Sequence, residues 1–187
     1  ASSKDNYVQI AVRLGQNPEY RQSISQQIAD NQHKLYCDLE SVRSLEDFLQ
    51  KAVQKKSEGN LDAAVDSYQK ASTIKPDYTE AHYSLGNVLL QRGKLEAAAE
   101  SYQQALKLKP DYAEAHYNLG NVLLQQNKLQ AAVKAYQQAL KLKPDYAEAH
   151  YNLGNVLLQQ NKLQAAVKAY QQALKLKPDY AEAHYNL

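Results

Sequence analysis

Four histidines, His82, His116, His150 and His184, recur at one register in this 187-residue chain, each 34 residues after the one before. Imidazoles in series suggest metal ligation or proton transfer. The spacing argues against both, because equivalent side chains of stacked units stand on the order of 10 Å apart, the packing distance of helices, too far to share one ion. Each reads as a packing residue with one polar edge, and His33, outside the series, reads the same way. Ser23, Ser25, Ser41 and Ser44 have no partnered base, so a hydrolase triad is unsupported. Gly86, Gly120 and Gly154 fall inside helical periodicity rather than in a phosphate loop, and the carboxylates fall at helix starts or on helix surfaces. The sequence predicts no catalytic residue, no cofactor and no metal.

Recognition is the chemistry it does suggest. Glu114, Tyr117, Asn118, Asn121, Leu124 and Gln125 are spaced i, i+3, i+4, i+7, i+10 and i+11, one stripe of a helix. The stripe returns as Tyr151, Asn152, Asn155, Leu158 and Gln159, and an earlier copy carries Tyr83 and Asn87. Stacked copies would turn it into rows, with Tyr185 and Asn186 continuing two of them. An asparagine amide both donates and accepts, so such a row can satisfy a peptide backbone without reading its sequence. Tyrosine offers a large apolar surface with a polar tip. The alternative is structural: the tyrosines seal contacts between copies, and Asn121 bonds a neighbouring backbone.

The elements that position these residues follow from the period. Residues 113–146 and 147–180 are identical, and 79–112 is a near copy. A 34-residue unit cannot bury its own apolar face, so copies must stack into a solenoid. Asp111 precedes Glu114 by three residues, which predicts a capping box and a helix start. Ala115, Leu119, Val122 and Leu123 continue that helix to about Gln126. Asn127 aligns with Gly59, Gly93 and Asn161, residue types that tolerate the left-handed conformation of a helix stop. A second helix is predicted from about Leu129 to Leu142, with Ala132, Val133, Tyr136, Ala139 and Leu140 as its apolar stripe, ended by Pro144. Gly120, costly in a helix, is expected to let the two backbones approach opposite Ala132.

Leu119, Gly120, Ala132, Tyr136, Ala139 and Pro144 at this period resemble the signature of the tetratricopeptide repeat, with His116 in place of the usual tryptophan and Leu123 in place of an aromatic. The resemblance covers residues 45–187, divided as 45–78, 79–112, 113–146, 147–180 and a partial 181–187. It implies an all-α, right-handed superhelical solenoid of antiparallel helix pairs, whose first-helix stripe lines a concave groove for extended peptides. The family's cationic clamp for C-terminal carboxylates is not matched, since Tyr and Asn stand where its Lys and Arg would be. In residues 45–78, Lys51, Ala52 and Lys55 replace the Leu, Gly and Leu of later copies, so different packing neighbours are expected for that first helix.

Residues 1–44 lack the repeat and read as a helical cap: a helix from Asp5 or Asn6 to Leu14 with Gly15 as its stop, a second from Asn17-Pro18-Glu19 to about Tyr36, and a third from Ser41 or Ser44. Tyr7, Ala11, Leu14, Pro18, Arg21, Ile28, Leu35, Asp38 and Leu45-Glu46-Asp47-Phe48 resemble the C-terminal end of the catalytic region of bacterial O-linked N-acetylglucosamine transferase relatives. That implies a larger glycosyltransferase whose repeats recruit protein substrates; the family's nucleotide-sugar site would lie upstream of this segment.

Composition narrows the partners. A net charge of +2 gives no global field for nucleic acid or anionic membrane, and the lysines of the identical copies are dispersed. The single cysteine, Cys37, suits a reducing, cytoplasmic setting. No apolar run approaches the roughly 18 residues of a membrane span. The absence of Met and the opening Ala1-Ser2-Ser3 suggest an excised or tagged fragment. The expected partner is a protein or peptide in extended conformation, with head-to-tail self-association through residues 181–187, around Leu176, Tyr185 and Leu187, as a further expectation.

Overall fold

The computed structural model describes residues 17–187, apart from the side chains of residues 21, 24, 25 and 27–40. The expected helix from Asp5 or Asn6 to Leu14, with its stop at Gly15, lies outside the described residues, as do the side chains of Arg21, Ser25, Ile28, His33, Leu35, Cys37 and Asp38. Among the described residues every regular element is a helix: α1 (Pro18–Ser57), α2 (Leu61–Ile74), α3 (Thr79–Gln91), α4 (Leu95–Leu108), α5 (Ala113–Gln125), α6 (Leu129–Leu142), α7 (Ala147–Gln159), α8 (Leu163–Leu176) and α9 (Ala181–Tyr185). The chain divides into two compact units, Ala1–Glu46 and Asp47–Leu187.

The start of α1 is the expected one, since the Tyr20 backbone N–H donates to Asn17 Oδ1 at 3.0 Å and relieves an orphan amide of the first turn. The expected break after Tyr36 is not found; α1 is one helix of 40 residues. Residues 37–44 contain neither Gly nor Pro, and serine lowers helix propensity too little to stop an established helix.

From Asp47 onward, antiparallel helix pairs stack into a solenoid. The turn inside each pair is left-handed as expected: φ is 76° at Gly59, 69° at Gly93, 56° at Asn127 and 57° at Asn161. The Asn127 N–H bonds Leu124 O at 2.9 Å and the Lys128 N–H bonds Leu123 O at 2.8 Å, which closes the carbonyl end of α5.

The start of each first helix corrects the expected capping box. α5 begins after Tyr112, which holds the cap position without a side-chain bond, and Tyr78, Tyr146 and Tyr180 do the same in the other repeats. Asp111 lies one residue too early to be the cap. The entry is pinned instead by His116, whose Nε2 lies 2.9 Å from Pro110 O. A carbonyl only accepts, so the ring N–H donates. His82 to Pro76, His150 to Pro144 and His184 to Pro178 repeat the bond at 2.8–3.0 Å, which fits the reading of these histidines as packing residues with one polar edge.

Packing inside a pair also departs from expectation at Gly120. A Cβ there would lie 2.6 Å from Tyr136 Cε1, so the glycine makes room for a tyrosine ring rather than for approach toward Ala132. Tyr136 is fully buried, and Gly86 with Tyr102 and Gly154 with Tyr170 repeat the fit. The apolar seam runs from a cluster containing Tyr68, Leu85, Tyr102 and Leu119 to one containing Ala132, Tyr136 and Val156, and Leu123 packs against both.

Candidate functional site

The buried ring of Tyr136 carries a hydroxyl that cannot go unpartnered. It donates to Asn121 Oδ1 at 2.7 Å. From the following repeat, Asn152 Nδ2 donates to the same Oδ1 at 3.0 Å and to Tyr117 OH at 3.1 Å. The preceding junction has the same set: Tyr102 OH to Asn87 at 2.7 Å, and Asn118 Nδ2 to Asn87 at 3.0 Å and Tyr83 at 3.1 Å. A third has Tyr170 to Asn155 at 2.8 Å, and Asn186 to Asn155 at 3.1 Å and Tyr151 at 3.3 Å.

Each bridge uses half of each amide. Oδ1 of Asn87, Asn121 and Asn155 receives two donors, and Nδ2 of Asn118 and Asn152 reaches two acceptors. Among the described residues the other halves, Nδ2 of Asn87 and Asn155 and Oδ1 of Asn118 and Asn152, have no bond within the protein, and Nδ2 of Asn121 engages the Tyr117 hydroxyl beside it with one of its two hydrogens. These atoms are not sealed from solvent, since the buried unpartnered side-chain atoms among the described residues belong to Gln126 and Gln160.

Rings frame the row. Tyr83 lies 4.7 Å from Tyr112, Tyr117 4.7 Å from Tyr146, and Tyr151 4.9 Å from Tyr180, centroid to centroid. A lysine caps each outer ring: Lys109 on Tyr112 at 5.0 Å, Lys143 on Tyr146 at 4.7 Å, and Lys177 on Tyr180 at 4.8 Å. Lys143 Nζ also lies 3.4 Å from Glu114 Oε1. Burial, followed by the neighbouring tyrosine, pushes the Tyr102 and Tyr136 phenols far above their usual range. Burial and then nearby carboxylates and phenols bring Tyr180 to about 12. The phenols therefore stay protonated donors at neutral pH.

The structure brings Tyr83, Asn87, Tyr117, Asn118, Asn121, Tyr151, Asn152 and Asn155 together as one half-buried row. Leu124, Gln125, Leu158 and Gln159 stand outside its hydrogen bonds: Leu124 packs on the cluster around Tyr136, Leu158 is exposed, and both glutamines are exposed. The alternative in which Asn121 bonds a neighbouring backbone is corrected, since its partners are the side chains of Tyr136, Asn152 and Tyr117. Sequence reasoning missed the hydroxyl role of Tyr102, Tyr136 and Tyr170, and it missed the Tyr112, Tyr146 and Tyr180 rings. The signal was present, because an Asp-Tyr pair follows the proline in every copy. Among the described residues no metal-holding group of three His, Cys, Asp or Glu forms, and no helix is long and apolar enough to cross a membrane.

Comparison with known proteins agrees with this architecture. Residues 55–91 and 86–127 match a family described as TPR repeat, and residues 117–181 match one described as tetratricopeptide repeat. No curated protein matches the chain. Among solved structures, the chain is similar to MamA at 30% identity, covering 72% of this chain and 79% of that one with a TM-score of 0.71. It is similar to YrrB, described as a TPR protein with an unusual peptide-binding site, at 25% identity over 74% of this chain and 72% of that one, TM-score 0.67. It is also similar to a mutant of the Thermobaculum terrenum O-GlcNAc transferase at 28% identity, covering 72% of this chain but 26% of that enzyme, TM-score 0.63.

Proposed function

Because the chain belongs to the tetratricopeptide repeat family, we propose that its repeats are a protein-interaction scaffold holding an extended segment of another protein along the tyrosine and asparagine row. One observation carries this reading. At successive junctions an amide N–H (of Asn87 and Asn155, and the second hydrogen of Asn121) and an amide oxygen (Asn118, Asn152) are left open beside a tyrosine ring. A peptide backbone needs that pair of partners and offers it in return. Leu124, Gln125, Leu158 and Gln159 would extend the contact toward the turns. The peptide-binding site of YrrB, a similar structure, supports the same use. The scaffold holds its partner without chemistry of its own, and the lone cysteine suits work in the cytoplasm.

Asn121→Asp separates binding from folding. The carboxylate keeps an oxygen for Tyr136 and Asn152 but replaces the outward N–H with an acceptor. Peptides of twelve residues, selected from a random library displayed against the protein, should bind this variant at least about tenfold more weakly, the effect of about 1.4 kcal/mol. The melting temperature should move by only a few degrees. Equal affinity would remove the row from the binding surface.

The likeness to the O-GlcNAc transferase supports a second reading, in which the array recruits protein substrates to a glycosyltransferase and residues 1–44 are the tail of its catalytic region. A parent protein that neither transfers nor hydrolyses a nucleotide sugar would remove it.

A further inference from the structure

The row of bridges stops at the first junction. Asn118, Asn152 and Asn186 each reach a tyrosine hydroxyl and an amide oxygen on the preceding repeat. Ser84 holds their register in α3, and at the registers of Tyr83 and Asn87 the preceding helix presents Leu49 and Val53. The replacements match each other. Aliphatic groups cannot accept an amide N–H, and an asparagine placed against them would lose its partners.

The preceding helix is also more exposed at this register. Val53 is 61% exposed, whereas Asn87, Asn121 and Asn155 at the same register are half-buried. Leu49 packs one edge on the core cluster of Ala52, Val65 and Tyr68. Along this face Leu49, Gln50, Val53, Gln54 and Ser57 line a shallow hollow of about 530 Å³. Two of its polar members are engaged at the rim: Gln54 Nε2 donates to Glu58 Oε1 at 2.9 Å, and Ser57 Oγ donates to Gln54 O at 2.7 Å. An apolar floor of Leu49 and Val53 with a polar rim suits a hydrocarbon side chain.

We propose that Leu49 and Val53 form a side-chain pocket in register with the asparagine row. The partner is an extended peptide that places one large apolar residue, aliphatic or aromatic, in this hollow while its backbone continues along Asn87 and Asn121. The proposal rests on the groove reading and adds what that reading lacks, a source of sequence choice, because amides that read only backbone accept any sequence. It also fixes a register. Repeats on the order of 10 Å apart and a strand rise of about 3.3 Å put the anchor roughly three residues from the unit held at Asn87.

The test uses the full chain and three fluorescein-labelled, twelve-residue Gly/Ser/Ala peptides: one without leucine, one with Leu at position 2 and one with Leu at position 11. Fluorescence anisotropy should show one leucine peptide binding about tenfold more tightly than the plain one, as expected for burying most of a leucine side chain. The other should bind like the plain peptide, because only one direction aligns anchor and row. Val53→Asp, a change at an exposed site, should abolish the gain, whereas Asn121→Asp should weaken all three peptides and keep the gain. Binding of all three with equal affinity would overturn the pocket and leave the groove standing. Absence of binding by any of them would take down both. An oligomer in sedimentation that Val53→Asp dissolves would give the hollow to a second copy of the chain and overturn the peptide pocket.

Discussion

Asn152 Nδ2 lies 3.0 Å from Asn121 Oδ1 across the junction of two identical repeats. The contact makes each amide both a rivet and a surface group. One half joins the repeats and the other faces outward, so a substitution at either residue acts on stability and binding in different proportions.

Asn152→Ala should loosen the array as well as weaken binding. It leaves Asn121 Oδ1 with Tyr136 alone and removes one of two donors from Tyr117 OH, two half-buried bonds at about 0.5–1.5 kcal/mol each. Urea denaturation should show a loss of about 1–3 kcal/mol. An unchanged midpoint would mean that solvent replaces the bridge without cost.

Gly120→Ala should destabilise although alanine favours helix. The new methyl meets the buried Tyr136 ring at 2.6 Å. Overpacking at about 1–3 kcal/mol outweighs a propensity gain of about 1 kcal/mol, and the larger Gly120→Leu should cost more. A melting temperature above that of the parent would show that the ring yields.

At the turn, Asn127 holds φ 56°, where Gly93 holds 69° in the preceding repeat. Asn127→Gly should leave stability within a few tenths of a kcal/mol or raise it, while Asn127→Val should lower it by about 1–2 kcal/mol. Thermal melts of the pair in parallel decide this, and equal melts would contradict the left-handed stop.

Gln126 shares its register with Arg92, which pairs with Asp62 of the preceding repeat. The equivalent of Asp62 is Glu96, and Gln126 Oε1 is buried without a partner. Gln126→Arg should form the missing ion pair and stabilise by up to about 1 kcal/mol at low salt, fading at 1 M salt. A gain indifferent to salt would point to packing.

Alkali should unfold the array early. The Tyr102, Tyr136 and Tyr180 phenols are raised in the folded chain, Tyr180 to about 12, against about 10 when unfolded. A raised folded value means that the unfolded chain releases its protons first. The stabilisation is therefore complete below about pH 10 and falls as pH climbs toward 12 and beyond. Urea midpoints at pH 8, 10 and 11 should decline in that order, with the last part of the phenolate absorbance, that of the buried rings, appearing together with unfolding. Phenolate formation by the whole tyrosine set at pH 10 in a fully folded chain would contradict the buried environment.

The sequence by itself determined the 34-residue period, the left-handed stops at Asn127 and Asn161, the span of α6 and the one-face stripe of Tyr117, Asn118 and Asn121. These features depend on residues within a helical turn or two of one another, and the pattern carries them directly. Only the tertiary structure decided that α1 runs unbroken, that Gly120 makes room for Tyr136, and which half of each asparagine is used. The bridges join residues 31 and 35 positions apart, so they depend on how one helix pair seats on the next. An amide at a given register looks the same in the sequence whether its hydrogens meet a neighbour or water, and stacking makes that choice.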